Sequence, residues 1–293
     1  MKISIIGSGF VGFAAGSGFK EIGNEVIFYD VSDERIKQLE GKGYAATKDM
    51  NHAIKNSEIS FIAVPTPTFD GKIDLSYIKS ATELMAKALK DKKGYHVFVV
   101  KSTVIPGTTE NVVKPILENF SGKKCGQDFG LCMNPEFLTE ISKSWTEDSS
   151  LARGFFTEDR IVIGEFDKKS GDKIEQLYKK LKIPIFRTDL KTAELIKYAA
   201  NCCLASRISY WNEVFYICNK IGVDSNLVAK IVSMDKRIGA YGIIHGMAFG
   251  GKCFPKDLQA FIDFAEQHDF NPIFLKAIRD VNDKVKEDRG VRE

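Results

Sequence analysis

Four short apolar runs recur through the first hundred residues: ISII (3–6), EVIFYD (25–30), ISFIAV (59–64) and HVFVVK (96–101). Stretches between them, such as 33–42 and 76–92, carry charge at helical spacing. Short apolar strands that alternate with helices need cover on both faces, and the pattern predicts a parallel, doubly wound α/β sheet of the Rossmann type. LCMN (131–134), RIVIG (160–164) and IPIFR (183–187) extend the same sheet. A first, nucleotide-binding domain is therefore expected over residues 1–188.

The texture changes at residue 189. The stretch from Asp189 to Ile221 holds neither proline nor glycine, and Gly222 follows it. Asp189 is suited to cap a helix start and Gly222 to stop it. A helix of about 30 residues is roughly 45 Å long, more than one small domain can cover, so it is expected to pack against a second copy of the chain. Helical segments at 224–234, 257–267 and 272–286 surround a glycine-rich loop at 239–251. The second domain, 189–293, is thus expected to be all-helical, with one long central helix.

Composition narrows the partners. The net charge is +3 and no basic stretch interleaves with aromatics, so no nucleic-acid partner is expected. No run of 18 apolar residues predicts a membrane span. The opening MKISIIGSGFVG breaks too early to be a signal peptide. Six cysteines form no CxxC pair and lack a histidine-rich partner set, so no metal site is expected. Free thiols in a reducing cytoplasm are the expectation.

ISIIGSGFVG reads as a strand, then Gly7-x-Gly9-x-x-Gly12, then a helix. Gly7 permits the tight turn, Gly9 lets the backbone approach a pyrophosphate, and Gly12 lets helix and strand pack closely. Asp30 ends the second strand, 18 residues after Gly12, where a carboxylate accepts hydrogen bonds from the adenosine ribose. That carboxylate repels a ribose phosphate, which favours NAD over NADP, with Arg35 nearby as the contrary feature.

Lys197 and Asn201 lie four apart on the long helix, beside Leu204, Ala205 and Ile208. Taken alone they read as a snorkelling lysine and a surface amide. Cysteines are commonly small core residues, and Cys202, Cys203 and Cys218 keep that reading. Cys253 differs: it follows Phe249-Gly250-Gly251 and sits between Lys252 and Lys256, a setting that favours the thiolate. Asp257 is placed to orient a neighbour or cap the next helix.

Seven motifs in order, GSGFVG (7–12), VPTPT (64–68), KSTVIPGT (101–108), NPEFLTE (134–140), AELIKYAAN (193–201), DKRIG (235–239) and FGGKCFPKD (249–257), together resemble the UDP-glucose dehydrogenase family of nucleotide-sugar 6-dehydrogenases. The resemblance covers essentially the whole chain. It implies an NAD-dependent, four-electron oxidation of a sugar C6 alcohol to a carboxylate. After a first hydride transfer, Cys253 adds to the aldehyde as a thiohemiacetal. A second hydride transfer leaves a thioester, which water hydrolyses.

The other roles follow from the same resemblance. Lys197 and Asn201 stabilise oxyanion charge, and Asp257 positions water and Lys197. Glu136 and Glu140 stand near sugar and cofactor, one of them a base acting through water that Thr103 also binds. Cofactor contacts fall to Gly7, Gly9, Phe10, Val11, Gly12, Asp30, Arg35, Pro65, Thr66, Thr103 and Glu140. The sugar is expected at Phe137, Leu138, Lys197, Asn201, Phe249 and Gly250, with Arg237 offered to the partner subunit of a homodimer.

Relatives of this type continue into a third, UDP-binding domain, which is expected to be absent here. UDP-glucose is the first-choice substrate. Other UDP- or GDP-sugar 6-dehydrogenases share this core, and a shortened NAD-binding dimerisation module with little activity is a reading of another class. Two-electron relatives such as hydroxyacid dehydrogenases also pair an NAD domain with a lysine and an asparagine, but they need no cysteine in such a loop.

Overall fold

A computed structural model describes every residue except Asp70, the segment 140–144, Lys252 and Glu293. In chain order the elements begin β1 (Lys2–Ile6), α1 (Phe10–Glu21), β2 (Glu25–Tyr29), α2 (Asp33–Gly41), β3 (Ala45–Thr47), α3 (Met50–Lys55) and β4 (Ile59–Ile62). A hairpin of β5 (Thr68–Phe69) and β6 (Lys72–Ile73) comes next. It precedes α4 (Ser76–Lys90), β7 (His96–Val100), α5 (Lys114–Ser121) and β8 (Phe129–Met133). Then follow β9 (Ile161–Glu165), α6 (Lys168–Tyr178), β10 (Ile185–Asp189) and α7 (Leu190–Ile221). The chain closes with α8 (Ser225–Val232), β11 (Ala248–Phe249), α9 (Phe254–Glu266), α10 (Ile273–Arg289) and β12 (Val291–Arg292).

Eight strands form one sheet in the order β10-β9-β8-β7-β4-β1-β2-β3. The order reverses between β1 and β4, the switch point at which doubly wound sheets bind ligands. β7 shows why both faces are filled: Val97 and Val99 enter one apolar cluster with Phe19 of α1. Phe98 and Val100 enter the other with Met85 of α4. Period-two alternation on an apolar strand thus serves two layers of helices. Among the described residues, only the β8–β9 pair in this sheet is antiparallel, a feature absent from the expectation because two apolar runs carry no signal of direction.

The chain divides into two compact units. The first comprises Met1–Pro67, Asp74–Leu138 and Gly154–Lys197; the second comprises Thr68–Ile73, Thr139–Arg153 and Tyr198–Glu293. The second unit's core joins Trp145, Cys202, Ala205, Ile208, Phe249, Leu258, Ile262 and Ile278. It is helical, with two additions: the β5–β6 hairpin and the β11–β12 pair. In the hairpin Gly71 stands at φ +83°, and the Thr68 hydroxyl donates to the Lys256 carbonyl at 3.5 Å.

α7 runs for 32 residues. At its start Asp189 accepts from the Thr192 N–H at 2.9 Å and the Thr192 hydroxyl at 2.6 Å. At its end Gly222 takes φ +69°, a conformation glycine adopts without penalty. Among the described residues no helix is long and apolar enough to cross a membrane.

Candidate active site

The glycine turn after β1 is built by close approach. A Cβ on Gly12 would lie 2.0 Å from the Gly7 carbonyl oxygen, and one on Gly7, at φ +93°, 2.7 Å from that of Ala63. A Cβ on Gly9 would meet nothing within 4 Å. Gly9 caps α1 without a side-chain hydrogen bond, so no capping side chain occupies the first-turn N–H groups. A diphosphate fits such a helix start.

Asp30 holds this turn. Its Oδ2 accepts from the Ser8 N–H at 3.0 Å and the Ser8 hydroxyl at 2.5 Å, and its Oδ1 accepts from the Ser32 N–H at 3.1 Å. Burial raises the carboxyl's pKa, but these bonds outweigh it and hold the group below its ordinary range. Arg35 donates through Nε and Nη2 to the Ser8 carbonyl, at 2.9 and 2.5 Å. Its guanidinium thereby braces the turn.

The first unit gathers charge around NPEFL. Lys197 donates to the Glu136 carboxylate at 2.9 Å and to its carbonyl at 2.8 Å. Both residues are buried, at 4% and 8% exposure. The Leu138 N–H donates to the other carboxylate oxygen at 2.7 Å. Burial works to raise the Glu136 pKa, and Lys197 overcomes it to keep the carboxyl below its usual value. The half-buried Phe137 ring carries the Arg160 guanidinium 4.0 Å from its centroid.

Several partners of this cluster were missed from sequence. Buried Lys101 donates to the Asn134 side chain at 2.9 Å, which also accepts from the Tyr178 hydroxyl at 2.6 Å. Glu158 is lifted above the ordinary glutamate range by burial, against the pull of Lys101. Glu194, one turn before Lys197, is fully buried and accepts the N–H groups of Gly107 and Thr109 at 2.5 and 2.7 Å. The Thr66 hydroxyl donates to the Thr103 carbonyl at 2.7 Å, tying the VPTPT and KST loops. Lys101 and Asn134 sit inside motifs already singled out; Glu158 gave no such signal.

The second unit places Cys253 at the N-cap of α9, exposed. A helix start favours an anion. Asp257, one turn into α9 and 1% exposed, accepts from the Asn201 amide at 2.6 Å and from Lys256 at 2.5 Å. It orients a neighbour and does not cap the helix. One amide hydrogen of Asn201 is thus committed and one remains. Burial pushes the thiols of Cys125, Cys132 and Cys202 up to about 12. Cys218 is buried too. Cys203, expected in the core, is exposed because it falls on the outer side of α7, next to the inward Cys202.

Other candidates lie as follows. Phe10 and Pro65 are exposed, and Val11 and Leu138 half-buried. The Phe249 ring is 2% exposed, packed edge-on to Phe254 at 5.9 Å. Arg237 pairs with Asp235 at 2.6 Å and lines a cavity of about 460 Å³ with Tyr210, Trp211 and Phe274. Glu140 and Lys252 lie outside the described residues. Among those described, no group of three His, Cys, Asp or Glu side chains could hold a metal.

Comparison with known proteins supplies the context. Residues 1–44 and 39–182 match the NAD-binding domain of the UDP-glucose/GDP-mannose dehydrogenase family, and residues 191–284 match its central domain. The cofactor is NAD. A GDP-mannose 6-dehydrogenase of Pseudomonas syringae is 38% identical, over 95% of this chain and 67% of that one. A UDP-glucose 6-dehydrogenase of Haloferax volcanii is 35% identical, over 97% and 70%. The solved UDP-glucose dehydrogenase of Pyrobaculum islandicum superposes with a TM-score of 0.88 at 34% identity, over 97% of this chain and 68% of that one. The chain spans about two-thirds of the length of these relatives.

Proposed function

Because the chain belongs to the UDP-glucose/GDP-mannose dehydrogenase family, we propose that it oxidises the C6 alcohol of a nucleotide sugar to the carboxylate through a covalent adduct on Cys253, with UDP-glucose as substrate. The observation that carries this reading is the pairing of an exposed cysteine at the N-cap of α9 with a buried Asp257 one turn on, whose carboxylate holds Asn201 at 2.6 Å. A core cysteine needs neither exposure nor an oriented amide.

NAD would be held by the Gly7–Gly12 turn and Asp30, and it would supply the acceptor for the hydride lost in each two-electron oxidation. The chain's own residues do the rest. The Cys253 thiolate adds to the C6 aldehyde carbon, and the carbonyl π pair becomes an alkoxide. That adduct gives up its C6 hydrogen as hydride and becomes a thioester, and water then replaces sulfur to yield the carboxylate and free thiol. A nucleophile splits the oxidation and retains the aldehyde.

Lys197 and Asn201, one turn apart on α7, meet the oxyanion. Two of the three Lys197 donors go to Glu136, leaving one, and Asn201 keeps one amide hydrogen. Fixed donors of this kind stabilise developing charge without reorganisation. With both carboxylate oxygens engaged, Glu136 orients Lys197, and the water-activating role is left to Glu140.

A homodimer is part of this proposal. Tyr210, Ile217 and Ile221 recur on one face of α7 and are exposed, as are Leu227, Ile231 and Met234 in and just after α8. Apolar faces of this extent mark association sites, and Arg237 is the residue such a dimer would offer to its partner's sugar. GDP-mannose is the second reading, favoured by the 38% identity to a GDP-mannose 6-dehydrogenase. Recording NADH formation with UDP-glucose, GDP-mannose and UDP-N-acetyl sugars in turn tests both. Turnover of UDP-glucose above all others is expected, and turnover of none would overturn the assignment.

A further inference from the structure

The loop that leads into Cys253 contains Gly246, Gly250 and Gly251. Gly246 and Gly251 stand at φ +87° and +73°, so free in solution this stretch would sample widely. In the structure it is gripped nearly atom by atom. Asn212 of α7 accepts from the Gly246 N–H at 2.7 Å and donates to the Met247 carbonyl at 2.9 Å. Arg289 donates to the Gly246 carbonyl at 2.7 Å.

Asn282 of α10 takes both sides of a single residue. Its Oδ1 accepts from the Phe249 N–H at 2.8 Å, and its Nδ2 donates to the Phe249 carbonyl at 3.1 Å. The side-chain amide thereby imitates a neighbouring strand. β12 completes the grip: the Ala248 N–H donates to the Gly290 carbonyl at 3.1 Å, and the Gly250 N–H to that of Arg292 at 3.2 Å. A Cβ on Gly250 would lie 2.1 Å from Val291 Cγ1, so a glycine there is what lets β12 come this close. Asn282 is 6% exposed, and residues 285–292 lie beyond the part of the chain matched to the family's central domain.

We infer that Asn282 and β12 are positioning elements for Cys253: they clamp Phe249 and Gly250 so that the thiol stands at the start of α9. This rests on the reading of Cys253 as nucleophile. A glycine loop left unclamped would let the sulfur wander, and a displacement of about 1 Å can cost a reaction about a hundredfold.

The test uses the full chain, Asn282→Ala, and a second variant lacking residues 290–293 in case the first does not fold. Three readings are taken: amide exchange of the 246–251 segment, iodoacetamide alkylation of Cys253 with exposed Cys203 as internal reference, and NADH turnover with NAD affinity. The expected result is exchange at least about tenfold faster in that segment alone, the yield of about one lost hydrogen bond. Cys253 alkylation slows several-fold relative to Cys203, and kcat falls about a hundredfold with NAD affinity unchanged.

Unchanged exchange and alkylation in both variants would overturn the inference. So would exchange that rises equally at Ala260–Ile262 in the body of α9, which is general unfolding. If Cys253→Ser abolishes turnover while the clamp variants are silent, the clamp fails and the nucleophile stands. If Cys253→Ser keeps turnover, the nucleophile reading itself fails.

Discussion

Lys197 and Glu136 meet at 2.9 Å with almost no solvent at either, and the lysine also holds the glutamate's carbonyl. A buried pair of this kind is costly to break, because whichever charge remains has lost its partner. Lys197→Met is expected to destabilise the fold by about 3 kcal/mol and to lower turnover by about a hundredfold or more. Thermal melting and steady-state kinetics check the two effects separately.

The same pair sets an acid limit. Glu136 is held below the ordinary glutamate range, so the stability it contributes is present above the unfolded-state pKa and is lost as pH falls through the lower folded value. Melting temperature measured downward from pH 4.5, the ordinary glutamate value, should drop in the wild type. In Glu136→Gln that limb should be shallower, since no proton is taken up there.

Glu194 has the opposite sign. Burial lifts it to about 6, above the ordinary 4.5, despite the two N–H groups it accepts. The folded chain therefore holds an extra proton between those values; stability falls as pH rises through that window and is flat above it. The ionised group costs about 2 kcal/mol at neutral pH on this footing. Denaturant titrations from pH 4.5 to 6 should show the slope in the wild type and none in Glu194→Gln.

Gly12→Ala puts a methyl 2.0 Å from a backbone oxygen, which no side-chain rotation relieves. NAD binding should be lost, with stability lowered by about 1–3 kcal/mol. Gly9→Ala has open space around it; it should fold normally and bind NAD more weakly. Calorimetric titration separates the two, and equal binding by both variants would contradict the assigned turn.

Much of this was legible in sequence for local reasons. Strand alternation, the GSGFVG turn and the bounds of α7 at Asp189 and Gly222 each depend on residues close together in the chain. What escaped depends on distant partners. The antiparallel β8–β9 pair, the two-residue β11–β12 pair and the asparagines at 212 and 282 carry no periodicity to read. The β5–β6 hairpin did carry a signal, Asp70-Gly71 between alternating residues. Cys203 was misplaced because adjacent cysteines on a helix point about 100° apart, and one inward residue implies an outward neighbour.

On the proposed mechanism Cys253 carries the sugar between two oxidations. NADH formed per UDP-glucose consumed, measured for the wild type and for Cys253→Ser, tests it most directly. Two NADH per sugar, with turnover lost in the variant, is the predicted result. One NADH per sugar with a carbonyl product, or a variant that turns over as the wild type does, would contradict it.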